Sequence, residues 1–305
     1  MLHKDMTTIT QTDDYKTNIY QKYSKSEDLQ GSIVILHGMS EHHERYLPFA
    51  NFLNEQGYDV YMYDHRGHGT DKKLEDLGYI SDHNGFQLLI NDGINVLDYV
   101  DKVKRTKQMI LFSHSMGSLV GRNIIQYYDK IDKAIFMGTA NAPIMASRAG
   151  LMLTAIIQKI KGPKYHSKFL QKTMFENKTY RKTCERTSVD WLTRDNAIVG
   201  AYINDPYCGF PSSTSFLRDI VHLNYFAGLP KRISKTRKDL PILFLSGTCD
   251  PVGNNGKDVT RIFNQYQRLA FQNVDCILYQ DCRHELLNEL NRAEIMQDIV
   301  TWLKK

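Results

Sequence analysis

The chain has 305 residues, of which 42% are hydrophobic and 24% are charged. This size and balance are typical of a globular protein with a sizeable core and argue against a chain that is disordered throughout. The net charge of +5 is too small to indicate nucleic-acid binding. No apolar run approaches the roughly 18 residues that span a bilayer. Residues 1–20 contain no apolar stretch typical of a signal peptide.

The chain contains five cysteines, which are scattered and form no C-x-x-C pair. An odd number in this arrangement is typical of free thiols in a reducing compartment, so we predict a cytoplasmic protein. A disulfide between two of them is conceivable, but two free thiols are the favoured interpretation. The five are Cys184, Cys208, Cys249, Cys276 and Cys282, and the conceivable pair is Cys249 with Cys282.

Strand and helix patterns alternate along the first half of the chain. This alternation predicts a mostly parallel sheet with helices on both faces. The predicted strands are 32–36, 58–63, 108–112, 133–137, 241–245 and 274–279. The predicted helices are 44–55, 84–104, 117–128, 258–271 and 293–304.

Strand patterns disappear from residue 142 to residue 234. We interpret these residues as a helical cap inserted into a core formed by residues 1–141 and 235–305. Leu151, Met152, Ile156 and Ile157 within the cap predict either a tunnel for an acyl chain or the buried face of a helix.

Basic residues are concentrated in one part of the cap. Residues 158–187 contain nine basic and two acidic residues, an excess of seven positive charges. This pattern is typical of a solvated helical face; the alternative interpretation is attraction to an anionic lipid surface. The basic residues are Lys159, Lys161, Lys164, Lys168, Lys172, Lys178, Arg181, Lys182 and Arg186; the acidic ones are Glu176 and Glu185.

Ser115 stands at the centre of the motif Ser113-His114-Ser115-Met116-Gly117, directly after the predicted strand 108–112. A strand that turns sharply into a helix is the context of a nucleophile elbow, which exposes a reactive serine above the sheet. Ser113 replaces the first glycine of the usual G-x-S-x-G pattern, and its side chain is still small. A serine that only caps a helix is the structural alternative.

Asp250 and His284 each follow a predicted strand, 241–245 and 274–279. The order Ser, Asp, His, with every residue just beyond the carboxyl end of a strand, is the order of the α/β-hydrolase fold. We therefore predict that Ser115 is a nucleophile, that His284 is its general base and that Asp250 orients the imidazole. The backbone N–H groups of Met39 and Met116 are the predicted oxyanion hole.

A larger set of motifs resembles the monoacylglycerol lipase and lysophospholipase-like branch of the serine α/β-hydrolases. This resemblance implies an eight-stranded sheet, a helical cap after the sixth strand, serine esterase chemistry on acyl esters, and no cofactor. Asp71 departs from the serine common in this branch, and the cap resembles the branch only weakly. The motifs are His37-Gly38-Met39-Ser40-Glu41-His42, Arg45-Tyr46, Gly57-Tyr58-Asp59-Val60 and Asp64-His65-Arg66-Gly67-His68-Gly69, together with the Ser113–Gly117 elbow, Asp250 and His284.

The histidines at 42, 43, 65 and 68 do not have zinc-site spacing, so we predict that they hydrogen-bond turns and that no metal is bound. An amidase or aminopeptidase is one alternative function, and a non-catalytic ligand-binding protein of the same fold is another. The predicted partners are a small acyl-ester substrate and, weakly, an anionic membrane surface, without nucleic acid. The sequence leaves the oligomeric state open.

Overall fold

A computed structural model describes residues 6–175, 178–183 and 185–305. In these residues eight strands form a single sheet in the order β1-β2-β4-β3-β5-β6-β7-β8. Pairing is antiparallel between β1 and β2 and between β2 and β4, and parallel from β4 through to β8. The strands are β1 Met6–Thr10, β2 Lys16–Lys22, β3 Gly31–Leu36, β4 Tyr58–Tyr63, β5 Met109–His114, β6 Lys133–Met137, β7 Ile242–Gly247 and β8 Val274–Tyr279.

Helices cover both faces of this sheet. Successive strand residues point to opposite faces, so Val34 and Leu36 pack on one side with α2, α3, α8 and α10, whereas Ile33 and Ile35 pack on the other with α1 and α11. The helices are α1 Leu47–Glu55, α2 Gly85–Val103, α3 Met116–Ile124, α4 Ile144–Lys161, α5 Lys168–Phe175, α6 Lys178–Arg181, α7 Asn196–Asn204, α8 Thr214–Gly228, α9 Pro230–Ile233, α10 Lys257–Arg268 and α11 Arg292–Leu303. The predicted fold class, a mostly parallel eight-stranded α/β-hydrolase sheet flanked by helices, is confirmed.

The central strands are buried on both faces because helices cover them on both sides. All six residues of β3, β4, β5 and β7 are buried. This burial explains why their sequences are continuous apolar runs. Their carboxyl ends meet at one edge of the sheet, where Leu36 of β3 is aligned with Ser113 of β5.

Two details differ from the predicted elements. The antiparallel hairpin β1–β2 was not predicted as strands, because β1 alternates exposed and half-buried positions and carries little apolar signal. The helix predicted over 117–128 ends at Ile124, where Gln126 and Tyr127 form tighter hydrogen bonds to residues three positions earlier.

The segment between β6 and β7 is helical in all its described elements, α4 to α9. Helix α8 of this segment packs into the core, where Phe216 and Leu223 are fully buried. The boundaries 142 and 234 remain a prediction. Glu176, Cys184 and the side chains of Lys178 and Arg181 lie outside the described residues. Within the described part of the chain, no helix is both long and apolar enough to cross a membrane.

Candidate active site

Ser115 lies at the turn between β5 and α3. Its backbone has φ +51° and ψ −119°, a conformation that residues other than glycine rarely adopt. The N–H of Ser115 donates to the carbonyl of Met137 at 2.9 Å, which joins the turn to the end of β6. The predicted strand-to-helix context is therefore present.

The positions two residues before and two residues after Ser115 differ in whether they can hold a side chain. Ser113 is fully buried and its hydroxyl donates to the carbonyl of Ile135 at 3.2 Å, so serine is accommodated in place of glycine. A Cβ on Gly117 would lie 2.4 Å from the carbonyl oxygen of Leu36 and 2.5 Å from that of His37. Only glycine allows α3 to approach β3 so closely.

This difference predicts losses of stability of unequal size for two substitutions. Gly117→Ala is expected to lower the free energy of unfolding by about 2–3 kcal/mol, because the backbone of β3 must move to admit the methyl group. Ser113→Gly is expected to lower the free energy of unfolding by about 1 kcal/mol, through one hydrogen bond and some chain entropy. Urea unfolding of both variants checks the prediction, and equal losses would contradict it.

The structure brings Ser115, His284 and Asp250 into one chain of hydrogen bonds. The Oγ atom of Ser115 is 2.8 Å from Nε2 of His284. Nδ1 of the same imidazole is 3.0 Å from each carboxylate oxygen of Asp250. Both His284 and Asp250 are buried, and the N–H of Val252 donates to Asp250 at 2.9 Å.

The imidazole of His284 titrates in a buried, negatively charged environment. Burial lowers the pKa of His284, but the carboxylates of Asp250, Glu285 and Glu41 together raise it by more, so the pKa lies above its ordinary value. The ring also packs against Trp191 of the inserted segment, with ring centroids 5.2 Å apart.

The loop after β3 lies against the nucleophile. A Cβ on Gly38 would be 3.1 Å from the Cβ of Ser115, so the backbone of this loop is in contact with the elbow. Met39 and Met116 both line the cavity above Ser115. Among the described residues, neither backbone N–H donates a hydrogen bond, which leaves both groups available to a ligand.

A buried network of charges behind the site was not predicted. Glu41 accepts hydrogen bonds from the N–H of Gly38, the hydroxyl of Tyr46 at 2.7 Å and the guanidinium of Arg45 at 2.6 Å. Arg45 also makes two 2.6 Å hydrogen bonds to Glu285, the neighbour of His284. Burial raises the pKa of Glu41, but Arg45, the nearby histidines His114 and His37 and the hydrogen bond from Tyr46 together outweigh burial, and the pKa falls to about 2. The network therefore joins the loop of Met39 to the loop of His284.

The inserted segment holds the same loop from the other side. Ser40 has φ +54°, and its carbonyl accepts from the hydroxyl of Tyr202 at 3.0 Å and from the N–H of Gly209 at 2.9 Å. Its N–H donates to Nε2 of His68 at 3.1 Å, and its hydroxyl donates to the carbonyl of Phe210 at 3.2 Å. Every polar group of Ser40, the residue after Met39, is therefore held in place.

The prediction that the histidines at 42, 43, 65 and 68 hydrogen-bond turns is confirmed for His68, whose Nδ1 lies 2.9 Å from the carbonyl oxygen of Arg66. It is wrong for His65, whose buried imidazole makes no hydrogen bond to a described residue. Nε2 of His37 accepts the N–H of His65 at 3.0 Å, and Nδ1 of His43 lies 2.7 Å from Asp64. Asp71 lies outside the cavity lining and accepts from Asn18 of β2 at 2.8 Å. The described part of the chain contains one cluster whose donor atoms could hold a metal, formed by His42, Asp205 and Cys208. In this cluster Nε2 of His42 lies at hydrogen-bond distance, 2.9 Å, from the carboxylate of Asp205.

Four cysteines are described, and all four are free thiols. Cys249 and Cys282 lie on adjacent loops, where the N–H of Cys249 donates to the carbonyl of Cys282 at 2.9 Å. The thiol of Cys282 donates to Asn291 at 3.2 Å. The favoured interpretation of two free thiols is confirmed.

A cavity of about 710 Å³ opens above Ser115, between the sheet edge and the inserted segment. Most of its wall is apolar, and Glu41 and Glu285 are the carboxylates among its described lining residues. Both are already paired with Arg45. No lysine or arginine is found among the described residues of the lining, so the wall offers no free positive charge. The apolar wall includes Met116, Leu119, Ala146, Gly150, Ile220 and Val221.

Comparison with known proteins agrees with this geometry. A family model described as Hydrolase_4, serine aminopeptidase S33, matches residues 27–291. The chain belongs to this family. Within it, the chain falls in the monoacylglycerol lipase and lysophospholipase-like branch of the α/β-hydrolases, and it is a hydrolase of the lipase and esterase type.

Two curated relatives of this hydrolase match over most of their length. A monoacylglycerol lipase of Mycolicibacterium smegmatis is 25% identical over 295 residues, which cover 93% of this chain and 92% of the relative. A probable lysophospholipase L2 of Haemophilus influenzae is 24% identical over 264 residues, which cover 84% of this chain and 78% of the relative. The solved structure of a thermostable carboxyl esterase of Bacillus coagulans has the same fold, with a TM-score of 0.89 and 22% identity. The match covers 98% of this chain and 97% of the esterase.

Proposed function

We propose that the protein hydrolyses carboxylic esters through a covalent acyl-enzyme on Ser115. The observation that carries this proposal is the hydrogen-bond chain from Ser115 Oγ through His284 to Asp250, at 2.8 and 3.0 Å, at the floor of an apolar cavity. A serine hydroxyl is a weak nucleophile until a base accepts its proton, and His284 is within reach to do so.

The roles follow from these positions. His284 accepts the proton of Ser115 as Oγ attacks the ester carbonyl, and Asp250 stabilises the imidazolium that forms. The imidazolium then donates this proton to the departing alkoxide, leaving the acyl group on Oγ. In the second half of the reaction His284 takes a proton from a water molecule as the water oxygen attacks the acyl carbon. The bond from this carbon to Oγ then breaks and the imidazolium returns the proton to Oγ, which releases the acid and restores Ser115.

The negative charge on the carbonyl oxygen needs two fixed donors. The N–H groups of Met39 and Met116 are free to serve, and Met116 begins helix α3, where the positive end of the helix dipole favours an anion. The contacts that hold Ser40 and Glu41 fix the loop of Met39 before substrate arrives, so that little reorganisation is needed at the transition state.

The pKa of His284 predicts the acid side of the pH profile. Only neutral imidazole accepts the serine proton, so kcat/KM falls as pH drops through this pKa. Because Asp250 raises the pKa above the ordinary imidazole value of 6.5, the midpoint is expected above pH 6.5. Initial rates on a soluble short-chain p-nitrophenyl ester across pH measure it. A midpoint at or below 6.5 would contradict this assignment.

The cavity favours an uncharged acyl ester, such as a monoacylglycerol. An aminopeptidase needs a free carboxylate for the substrate ammonium, but Glu41 and Glu285 are committed to Arg45. A lysophospholipid phosphate favours a nearby cation, and the described lining provides none. The apolar wall suits an acyl chain.

A substrate comparison tests this proposal. The panel consists of a 1-monoacylglycerol, a lysophosphatidylcholine with the same acyl chain and an aminoacyl-p-nitroanilide. We expect kcat/KM to be highest for the monoacylglycerol, by about tenfold or more over the lysophospholipid. Faster hydrolysis of the nitroanilide would favour the aminopeptidase alternative. No turnover and no burst with any ester would favour a non-catalytic binding protein.

A further inference from the structure

Helix α8 places a polar side chain in the helical wall of the cavity. Ile220, Val221 and Asn224 of this helix all line the cavity, and their spacing puts them on one side of the helix. The same wall includes Leu119 of α3 and Gly150 of α4. Asn224 is only 9% exposed, so its carboxamide lies buried in a wall that is otherwise largely apolar.

The carboxamide of Asn224 has no hydrogen-bond partner among the described residues. Its Oδ1 atom is buried and accepts no hydrogen bond, and its Nδ2 atom donates none. The buried asparagine of α3, Asn123, is different, because its Nδ2 donates to the carbonyls of Leu119 and Leu223 at 2.8 and 2.9 Å and so joins α3 to α8. Burying an amide without a partner costs free energy, so Asn224 is better explained by a partner that enters the cavity.

Helix α4 leaves space in front of this side of α8. Its residues Met152 and Ile156 are 68% and 55% exposed and do not line the cavity, so neither sequence interpretation of these two side chains was right. Helix α4 contributes the small residues Ala146 and Gly150 to the wall instead. A Cβ on Gly150 would lie 3.3 Å from Val221, so α4 approaches α8 closely without filling the cavity.

The charged groups of the cavity lie on other elements. Glu41 and Glu285 belong to the loops after β3 and β8 and are held by Arg45, whose guanidinium lies 4.9 Å from the ring centre of Tyr202. Asn224 takes no part in this network. It belongs to the wall of α3, α4 and α8, whose apolar side chains suit an acyl chain rather than a polar head group.

We propose that Asn224 binds an oxygen atom carried by the acyl chain itself, so that the preferred substrates are esters of hydroxylated fatty acids. A hydroxyl on the chain can accept a hydrogen bond from Nδ2 or donate one to Oδ1. A plain alkyl chain in the same place displaces water from the carboxamide and provides no partner in return. The inference rests on the proposed function, since it specifies the acyl group that Ser115 would carry.

A binding measurement without catalysis tests the assignment. Titration calorimetry gives the Kd of the Ser115→Ala variant for 1-dodecanoylglycerol and for analogues with one hydroxyl at successive carbons of the acyl chain, all below their micelle concentrations. We expect at least one position of the hydroxyl to lower Kd by about tenfold, because that hydroxyl reaches Asn224. Analogues that all bind as weakly as the plain ester, or more weakly, would overturn the proposal.

Substitutions then locate the contact. In the Ser115→Ala background, Asn224→Leu has similar volume and Asn224→Ala adds no bulk, and both are expected to abolish the roughly tenfold preference for the hydroxylated ester. Ser147→Ala removes a different buried hydroxyl of the cavity lining and is expected to keep the preference, because a serine hydroxyl in a helix can turn to a backbone carbonyl instead. Equal preference in the parent and both Asn224 variants would contradict the proposal.

Kinetics with Ser115 intact separate recognition from a structural role. Asn224→Leu is expected to lower kcat/KM about tenfold for the best hydroxylated ester and to keep or raise kcat/KM for the plain ester. A residue with only a structural role would lower both alike, and that result would overturn the proposal. A loss on the plain glycerol ester but not on methyl dodecanoate would overturn it too, because Asn224 would then bind the head group. Failure of the proposed function is distinguishable, since no ester would be hydrolysed while the binding preference persisted.

Discussion

Replacing Ser115 by alanine is expected to lower kcat for a soluble short-chain ester by about five to six orders of magnitude. The reason is that Oγ is the atom 2.8 Å from Nε2 of His284, and no acyl-enzyme forms without it. The variant should lose no more than about 1 kcal/mol of unfolding free energy, because the lost hydroxyl contributes one hydrogen bond at the cavity floor. Steady-state rates and urea titration measure the two quantities.

Ser147 provides a matched control for this substitution. Its side chain also lines the cavity, but its hydroxyl makes no hydrogen bond to a described residue and therefore has no adjacent base. Ser147→Ala should retain kcat within about twofold of the parent. If Ser115→Ala kept more than a few per cent of the activity in a preparation free of other esterases, Ser115 would not be the nucleophile.

Replacing Glu41 by alanine is expected to damage both stability and catalysis. The substitution leaves the N–H of Gly38 and the hydroxyl of Tyr46 without their buried acceptor and removes one partner of Arg45. We expect the free energy of unfolding to fall by about 3–5 kcal/mol. We also expect kcat to fall about a hundredfold, because the neighbouring N–H of Met39 loses its fixed position.

Two companion variants separate the roles of Glu41. Glu41→Gln keeps an oxygen for Gly38 and should recover part of the loss in kcat, with KM for a short ester unchanged. Glu44 is a half-buried carboxylate of the same segment, and in the described structure its side chain accepts a hydrogen bond only from the hydroxyl of Thr70. Glu44→Ala should therefore lower the free energy of unfolding by less than about 1 kcal/mol. Equal effects of Glu41→Ala and Glu44→Ala would show that the buried network does not position the loop.

The sheet was largely predictable from the sequence, because its central strands are continuous apolar runs bounded by polar turns. The predicted bounds of β4, β6 and β8 match the structure. Strand β1 lies at the edge of the sheet, where burial does not impose an apolar pattern. Strand β2 is largely buried, but its buried positions include the polar residues Thr17 and Gln21, so the hairpin has no continuous apolar run. Periodicity also failed to mark the end of α3, since buried side chains continue through the tighter turn that follows it.

The candidate site was predictable where order along the chain determines position. Ser115, Asp250 and His284 follow the parallel strands β5, β7 and β8, and the carboxyl ends of parallel strands share one edge of the sheet. The link between Glu41 and Glu285 was not predictable, because it depends on Arg45 reaching a residue 240 positions away. The exposure of Met152 and Ile156 was not predictable either, since periodicity shows that a helix has an apolar face but not what covers it.

We propose that Ser115 carries the acyl group. The most direct test treats the native protein with a fluorophosphonate, digests it and identifies the modified peptide by mass spectrometry. We expect a single adduct on Ser115, formed much more slowly in His284→Ala and absent in Ser115→Ala. An unmodified Ser115 in fully folded protein, or an adduct on a different residue, would contradict it.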